Sequence, residues 1–250
     1  MISVKNLYKS FNGRTVLTNI SVTFEPGKTN LIIGQSGSGK TVLLKSIVGL
    51  HDIDRGEIWY EDKLLNKLDF VERKEIRKEM GMLFQGSALF DSLTVEQNVR
   101  FPLDMFTDKS MEEKTERVNF CLNRVNIINA NKLYPAELSG GMRKRVAIAR
   151  AISLNPRYLF CDEPNSGLDP ITAILIDALI KEITVEYCMT TIVNTHDMNS
   201  VMEIGEKILF ISEGIKCWEG SKNDILNSDC DKLNDFVFAN SLAKQLRSAK

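Results

Sequence analysis

The stretch GQSGSGKT, from Gly34 to Thr41, is glycine-rich and lies between two apolar segments. It follows the apolar run Leu31–Ile33 and precedes a helical pattern that begins at Val42. The stretch fits the pattern G-x-x-x-x-G-K-[ST] between a strand and a helix. Glycines let several consecutive backbone N–H groups turn towards one anion, because no side chain blocks the approach. The sequence therefore predicts a phosphate-binding loop at the positive end of a helix.

The two residues that follow the last glycine of this loop are suited to bind the phosphates and their metal ion. Lys40 supplies a cation for the terminal phosphates, and the Thr41 hydroxyl is a candidate ligand of Mg²⁺. An ordinary flexible turn is the alternative interpretation, and the strand-to-helix context argues against it. We predict that the chain binds a nucleotide.

Composition narrows the class of protein. The 250 residues are 43% hydrophobic with a net charge of -1, enough for one large core and without the basic excess of a dedicated nucleic-acid binder. Five scattered cysteines contain no C-x-x-C pair, which is typical of reduced cytosolic thiols. No signal peptide is recognisable, and no apolar run approaches the roughly 20 residues that cross a bilayer. We expect a cytosolic protein unless a partner holds it at a membrane.

Periodicity along the chain predicts an α/β organisation. Short alternating strands precede the glycine-rich loop, and residues 86–155 are rich in helix formers and charge. Tyr158–Cys161 and Thr190–Thr195 are β-type runs separated by a helical pattern, which implies parallel strands joined by a crossover helix. Residues 207–220 are typical of a hairpin that turns at Glu213–Gly214.

Two acids end the apolar run YLFCDE. Burying Asp162 and Glu163 at a strand end is costly unless a cation or a reaction uses them. Asp162 suits the Mg²⁺ environment beside Thr41, and Glu163 is placed to accept a proton from an attacking water. A plain surface acid pair is the alternative.

A second candidate anion site lies in LSGGMRKRVAIARA. Ser139, Gly140 and Gly141 leave backbone donors exposed ahead of a helical pattern. One nucleotide does not easily use two such sites in one chain, whereas a symmetric dimer would let the loop of one subunit and the SGG of the other share it. A simple helix cap is the alternative.

GQSGSGKT, the glutamine after MLF, LSGGM, YLFCDEP, SGLDP and NTHD together resemble, in order and spacing, the ATPase subunit of ATP-binding cassette (ABC) transporters. The resemblance covers residues 1–220 and implies a P-loop NTPase fold of the ABC type. Its core is a mainly parallel sheet with an N-terminal antiparallel β subdomain and an inserted helical subdomain. By this resemblance, residues 1–85 and 156–220 form the core with the β subdomain, 86–155 the helical subdomain and 221–250 a C-terminal tail.

The resemblance also implies a head-to-tail dimer that closes on two ATP molecules with Mg²⁺ and works with an integral membrane permease. The expected location is the cytoplasmic face of the inner membrane. By motif position, Gln85, Glu163 and His196 are implied to be catalytic, and Thr41, Gln85 and Asp162 to serve the metal. The residues implied to hold the nucleotide are Phe11, Gly34, Gln35, Ser36, Gly37, Ser38, Gly39, Lys40, Thr41 and Val42. Those implied to act across the dimer are Ser139, Gly140, Gly141, Met142 and Asp169.

Two of these roles have competing interpretations. Phe11 matches the aromatic that stacks on adenine, and a core phenylalanine is the alternative. His196 ends an apolar strand 33 residues after Glu163, as the family's γ-phosphate-sensing histidine does, and a satisfied polar residue without a role in the site is the alternative. The other histidine, His51, is interpreted as a solvated residue past a helix end.

Met142 departs from the family pattern. It is the fifth residue of LSGGM, the segment that corresponds to the family's signature motif, and the fifth residue of that motif is usually glutamine. Methionine cannot donate a hydrogen bond as an amide does, so that contact to the nucleotide is in doubt. LSGGM, the segment LFQGSALFDSLTVEQNVRFPL and DPIT resemble the ATPase of mammalian-cell-entry (MCE) lipid transporters. In those systems an MCE-domain protein carries phospholipid between membranes.

Other classes of ABC ATPase also fit these motifs. An amino-acid or lipoprotein-directed cassette is the main rival, and a soluble non-transport ABC ATPase is the lesser one.

The basic run Arg143–Arg145 is interpreted as a solvated helix face rather than a nucleic-acid contact. The stretch Phe236, Val237, Phe238, Leu242 and Leu246 has helical spacing. Either it packs on its own domain or it forms a strap across the partner ATPase.

Overall fold

The computed structural model describes residues 1–238 and contains two sheets. The strands are β1 (Ile2–Phe11), β2 (Arg14–Phe24), β3 (Thr29–Ile33), β4 (Arg55–Tyr60), β5 (Lys63–Leu64), β6 (Met80–Leu83), β7 (Tyr158–Asp162), β8 (Thr190–Thr195), β9 (Lys207–Ser212) and β10 (Ile215–Gly220). The first sheet is antiparallel and has the order β2-β1-β4-β5. The β1–β2 hairpin turns at Asn12 and Gly13, both with positive φ, as an Asn-Gly hairpin turn requires.

The second sheet has the order β10-β9-β3-β8-β7-β6, and only β10 is antiparallel to its neighbour. Every residue of β3, β7 and β8 is buried, because structure covers both faces of this sheet. The predicted crossover and the predicted 213–214 turn are both confirmed. Parallel pairing brings the carboxyl ends of β3, β7 and β8 to one edge of the sheet.

Eight helices occur within residues 1–238. They are α1 (Lys40–Ile47), α2 (Phe70–Lys78), α3 (Val95–Phe106), α4 (Met111–Arg124), α5 (Gly140–Ala151), α6 (Pro170–Glu186), α7 (Met198–Ile204) and α8 (Asp231–Val237). Helices α3, α4 and α5 pack on one another and account for the predicted helical region. Helix α2 was not predicted from the sequence, and its only buried residue is Ile76.

Two apolar clusters fill the interior. One lies between the two sheets and around α1, where Leu43, Leu44 and Ile47 meet the inner faces of β1, β2 and β4. The other, called the helix-side cluster below, covers the opposite face of the parallel sheet and joins it to α3–α6. The predicted fold class is thereby confirmed: a mainly parallel core with an antiparallel β subdomain and helices between strands. No helix among the described residues is long and apolar enough to span a bilayer.

The C-terminal segment begins on the core. Ile225, Leu233 and Val237 are buried in the helix-side cluster, and Phe236 lies 5.5 Å from Phe210, ring centre to ring centre. This part of the predicted amphipathic stretch therefore packs on its own domain. Leu242 and Leu246 lie outside the described residues.

Candidate nucleotide site

The glycine-rich loop joins β3 to α1 and depends on glycine at particular points. A Cβ atom on Gly34 would lie 2.2 Å from the Ile211 carbonyl oxygen, and one on Gly39 would lie 2.8 Å from Leu17. Both glycines also have positive φ, which side chains disfavour. At Gly37, φ is +79°, although a Cβ there would meet nothing within 4 Å. Close packing under the loop and backbone conformation within it both select glycine.

The environment of Lys40 suits an anion. Lys40 as a whole is 5% exposed, and its ammonium donates hydrogen bonds to the carbonyls of Gly34 at 2.9 Å and Gln35 at 3.0 Å, across the loop. Burial lowers the pKa of Lys40, and the nearby carboxylates of Glu163 and Asp162 oppose that shift. The Ser38 hydroxyl is buried and lacks a hydrogen-bond partner. A phosphate in the loop would satisfy this hydroxyl and the cation, so the residues present fit the predicted ligand.

Thr41 and Asp162 meet at the strand edge, as predicted. The Thr41 hydroxyl donates to Asp162 Oδ1 at 3.1 Å, and the buried Asn194 amide donates to the same oxygen at 3.0 Å. Among the described residues, no group of three or more His, Cys, Asp or Glu side chains could hold a metal alone. One hydroxyl and one carboxylate instead fit Mg²⁺, which commonly binds through one or two protein groups together with substrate phosphates.

Glu163 is the centre of the predicted catalytic group. Gln85 Nε2 donates to Glu163 Oε2 at 2.8 Å, and His196 Nδ1 lies 3.1 Å from Glu163 Oε1. Glu163 has a φ of +48°, which is uncommon for a side chain with a Cβ, and its N–H donates to the Asn194 carbonyl. The tertiary structure thus brings Gln85, which follows β6, and His196, which follows β8, to the carboxylate of Glu163, which follows β7.

An open cleft of about 710 Å³ lies beside this carboxylate. Gln35 and Ser36 of the glycine-rich loop line it, together with Glu163 and His196. The side chain of Glu163 is 17% exposed and that of His196 is 54% exposed. Solvent and a nucleotide therefore have access to both groups.

Phe11 lies at the end of β1 and is 39% exposed, so it is not a core residue. Its ring meets the edge of His51 at a centroid distance of 5.3 Å, and the Lys9 ammonium lies 4.8 Å from its centre. His51 is half-buried in this contact, which corrects the expectation of a fully solvated residue. This exposed aromatic ring remains available to a base.

The signature residues 139–142 line a second cleft. Ser139 caps α5 by accepting a hydrogen bond from the Met142 N–H at 3.2 Å, and Asp169 caps α6 in the same way through Thr172. A cleft of about 480 Å³ is lined by residues 139–142 together with Asp169 and Thr172. The described residues that line the cleft at Glu163 include none of residues 139–142. The two clefts share Gly167, but the glycine-rich loop lines only the first of them and residues 139–142 line only the second.

The basic run was interpreted wrongly at one position. Lys144 is 4% exposed, and its ammonium donates a hydrogen bond to the Gln85 carbonyl. On the same helix, Arg150 donates to the carbonyls of Ser87 at 2.8 Å and Ala88 at 2.6 Å. Two buried cations of α5 therefore hold the loop that carries Gln85. Helical spacing places Lys144 on the same face as the buried residues Ala147 and Ile148, three and four positions later, and this signal could have identified it.

Comparison with known proteins identifies a matching family model and several similar proteins. The family model described as ABC transporter matches residues 17–166. The methionine import ATP-binding protein MetN of Clostridium tetani is 41% identical over 84% of this chain, which corresponds to 66% of that protein's length. The intermembrane phospholipid transport system ATP-binding protein MlaF of Haemophilus influenzae is 37% identical over 95% of this chain and 90% of its own.

Solved structures agree with the fold. The dimeric structure of MJ0796, a bacterial ABC transporter cassette, superposes with a TM-score of 0.82 at 33% identity, over 89% of this chain and 99% of that one. A second dimeric structure of MJ0796, in a post-hydrolysis state, is bound to ADP and Pi.

Proposed function

The chain belongs to the ABC transporter family, and we propose that it is the ATP-hydrolysing subunit of a transporter that moves phospholipid between membranes. ATP hydrolysis is the activity of this family. The observation that carries the lipid assignment is the signature LSGGM, with Met142 in a cleft that the glycine-rich loop of the same chain does not line. The similarity to a phospholipid transport ATPase over most of both chains supports it.

The proposed chemistry uses the residues gathered at the strand edge. The glycine-rich loop and Lys40 bind the phosphates, and Glu163 accepts the proton of the attacking water. Gln85 and His196 hold the two oxygens of Glu163, one on each side. Thr41 and Asp162 would hold Mg²⁺, which supplies charge neutralisation at the phosphates.

A head-to-tail dimer would complete the site. Ser139, Gly140 and Gly141 lie in a cleft separate from the one at Glu163, so a second copy is needed to bring a signature to each nucleotide. The dimeric state of the related cassette MJ0796 supports this arrangement.

An apolar groove supports a membrane partner. Phe84, Phe90, Phe101 and Phe106 line a groove of about 400 Å³ between β6, α3 and α5, next to the loop of Gln85. Phe90 is 42% exposed and contacts Phe101 at a centroid distance of 4.7 Å. We assign this groove to a helix of the permease, which would hold the chain at the cytoplasmic face of the inner membrane and beside an MCE-domain protein.

A methionine or other amino-acid importer is the second candidate, because the Clostridium tetani relative is 41% identical. Extraction of the tagged chain from native membranes in mild detergent, followed by mass spectrometry, separates the two. A permease with an MCE protein and bound phospholipid is expected. A permease of another class without an MCE protein would replace lipid transport by the second candidate, and a soluble partner alone would contradict transport.

A matched pair of variants tests whether the groove holds the permease. Phe90→Glu places a charge in the groove and should release the permease. Phe70→Glu changes a phenylalanine that is 78% exposed on α2, outside the groove, and should leave the complex intact. Equal retention of the permease by both variants would contradict the docking assignment.

A further inference from the structure

A buried carboxyl group lies behind the loop that follows Glu163. Asp177 is on α6 and is 2% exposed, among the apolar neighbours Ile176 and Ile180. Its position in the helix is one that the pattern of α6 would fill with an apolar residue. A buried acid without a cationic partner is costly compared with a well-packed apolar side chain. Violations of the apolar pattern concentrate at functional sites.

Asp177 is joined to that loop by a short polar network. The Asn165 amide donates to the Ser200 hydroxyl at 3.0 Å, and both side chains are close enough to the Asp177 carboxyl group to lower its pKa against the effect of burial. Ser200 is on α7 and is 1% exposed. The network therefore connects α6 and α7 to Asn165.

Asn165 is a structural anchor of the loop from Glu163 to Asp169. Its carbonyl accepts the N–H of Leu168 at 3.2 Å, and the Glu163 carbonyl accepts the N–H of Ser166 at 3.2 Å. Glu163 itself has positive φ. A loop that begins with a strained residue keeps its conformation only when surrounding contacts hold it.

The network is incompletely satisfied. Asp177 Oδ1 and Asn165 Oδ1 are both buried and lack a donor. A proton on Asp177 would change which of its oxygens accept hydrogen bonds. The ionisable groups facing Asp177 are the carboxylates of Asp197 and Glu203 on the α7 side and the buried thiol of Cys161 on β7. Burial and these two carboxylates raise the pKa of Asp177 to about 6.

We propose that Asp177 is a positioning residue for ATP hydrolysis: its ionised carboxyl group holds Asn165 and Ser200, and thereby fixes the loop that carries Glu163 and leads to Asp169. Protonation of Asp177 weakens that hold. The inference depends on the proposed role of Glu163 as the base and adds to it a group that touches neither ATP nor water.

The test compares ATP hydrolysis by the full-length chain and the isosteric variant Asp177→Asn between pH 5 and pH 8. The ratio of wild-type kcat to variant kcat should rise with pH, from about one to roughly tenfold, the effect expected from weakening one hydrogen bond to a charged group. The midpoint should lie near pH 6. The KM for ATP should change little, because the glycine-rich loop is not part of the network. A ratio that is independent of pH overturns the proposal.

Two further variants keep the test decisive. Ser200→Ala removes a network partner and should lower kcat without a change in KM. Thr184→Val removes a buried hydroxyl from the same helix, where it hydrogen-bonds to Ile180 and Thr191 instead, and should leave kcat unchanged at every pH. Equal effects of these two variants on kcat would mean that Asp177 and its neighbours contribute only to stability and do not position Glu163. Glu163→Gln measured in parallel tests the proposed base alone, since wild-type turnover there would contradict that role whatever Asp177 does.

Discussion

Gln85 Nε2 donates a hydrogen bond to Glu163 Oε2 over 2.8 Å, although the two residues are 78 positions apart. The contact arises because β6 and β7 are parallel neighbours, with Leu83 opposite Cys161, so the residues beyond both strands emerge at one edge. Lys144 of α5 holds the carbonyl of the same glutamine. The helix that begins at the signature is thus linked through Gln85 to the proposed base, and the site can be tested residue by residue.

Removing the ammonium of the loop lysine should abolish turnover. Lys40→Ala should lower ATP hydrolysis by about a hundredfold or more, the scale expected when a charge that stabilises the reacting phosphates is lost. Phosphate release at saturating ATP measures it. Lys45→Ala, on the same helix but outside the loop, is the matched control and should retain activity. Unchanged hydrolysis by Lys40→Ala would refute the site.

Neutralising the proposed base should separate binding from hydrolysis. Glu163→Gln should lower kcat by about 10²–10⁴-fold because the amide cannot accept the proton. The variant should still bind ATP and accumulate as a closed dimer, seen by light scattering as a doubled mass. Glu186→Gln, whose carboxylate pairs with Arg124 instead, should behave as wild type. A monomeric Glu163→Gln protein in ATP would count against the shared-nucleotide dimer.

Restoring an amide in the signature should have a small effect. The Met142 N–H is already bonded to Ser139, and its side chain packs partly against the helix-side core. Met142→Gln should therefore leave ATP hydrolysis within a few-fold of wild type, since one added hydrogen bond contributes about 0.5–1.5 kcal/mol. A large loss of activity would show that the methionine has a specific role in the cleft.

Two glycines of the loop should respond differently to alanine. Gly37→Ala should destabilise the chain by about 1–2 kcal/mol, the cost of a left-handed residue with a Cβ. Gly34→Ala adds a clash 2.2 Å from the Ile211 carbonyl oxygen and should cost about 1–3 kcal/mol more. Urea unfolding of both variants measures the difference. Equal costs would mean that the β9 backbone moves freely away from the loop.

The buried acid should make stability depend on pH. Because the pKa of Asp177 is raised from 3.8 to about 6 in the folded state, the native protein binds more protons than the unfolded chain between these values. The free energy of unfolding should therefore fall as the pH rises from about 4 to about 6, by roughly 3 kcal/mol in total. Asp177→Asn should lose this component and be the more stable protein at pH 8. Urea titrations at several pH values measure it, and parallel curves for both proteins would contradict the shift.

Local features of the sequence predicted much of the fold. The glycine-rich loop, the turn at Glu213–Gly214 and the strands that end at Asp162 and Thr195 depend on neighbouring residues, and all were predicted. Helix α2 was not, because it buries only Ile76 and so has little apolar periodicity. Its identifiable start signal is the capping box of Asp69 and Glu72.

The sequence by itself determined which residues could bind phosphate and which acids end the strands, since those properties follow from residue type and spacing within short segments. Only the tertiary structure decided which of them meet. Parallel strand order brings Gln85, Glu163 and His196 together, whereas the path of the chain keeps Ser139 in a separate cleft. Burial, which depends on all the surrounding elements, turned Lys144 from an expected surface charge into a loop anchor. The same packing placed Asp177 behind the proposed base, a relationship that no local pattern contains.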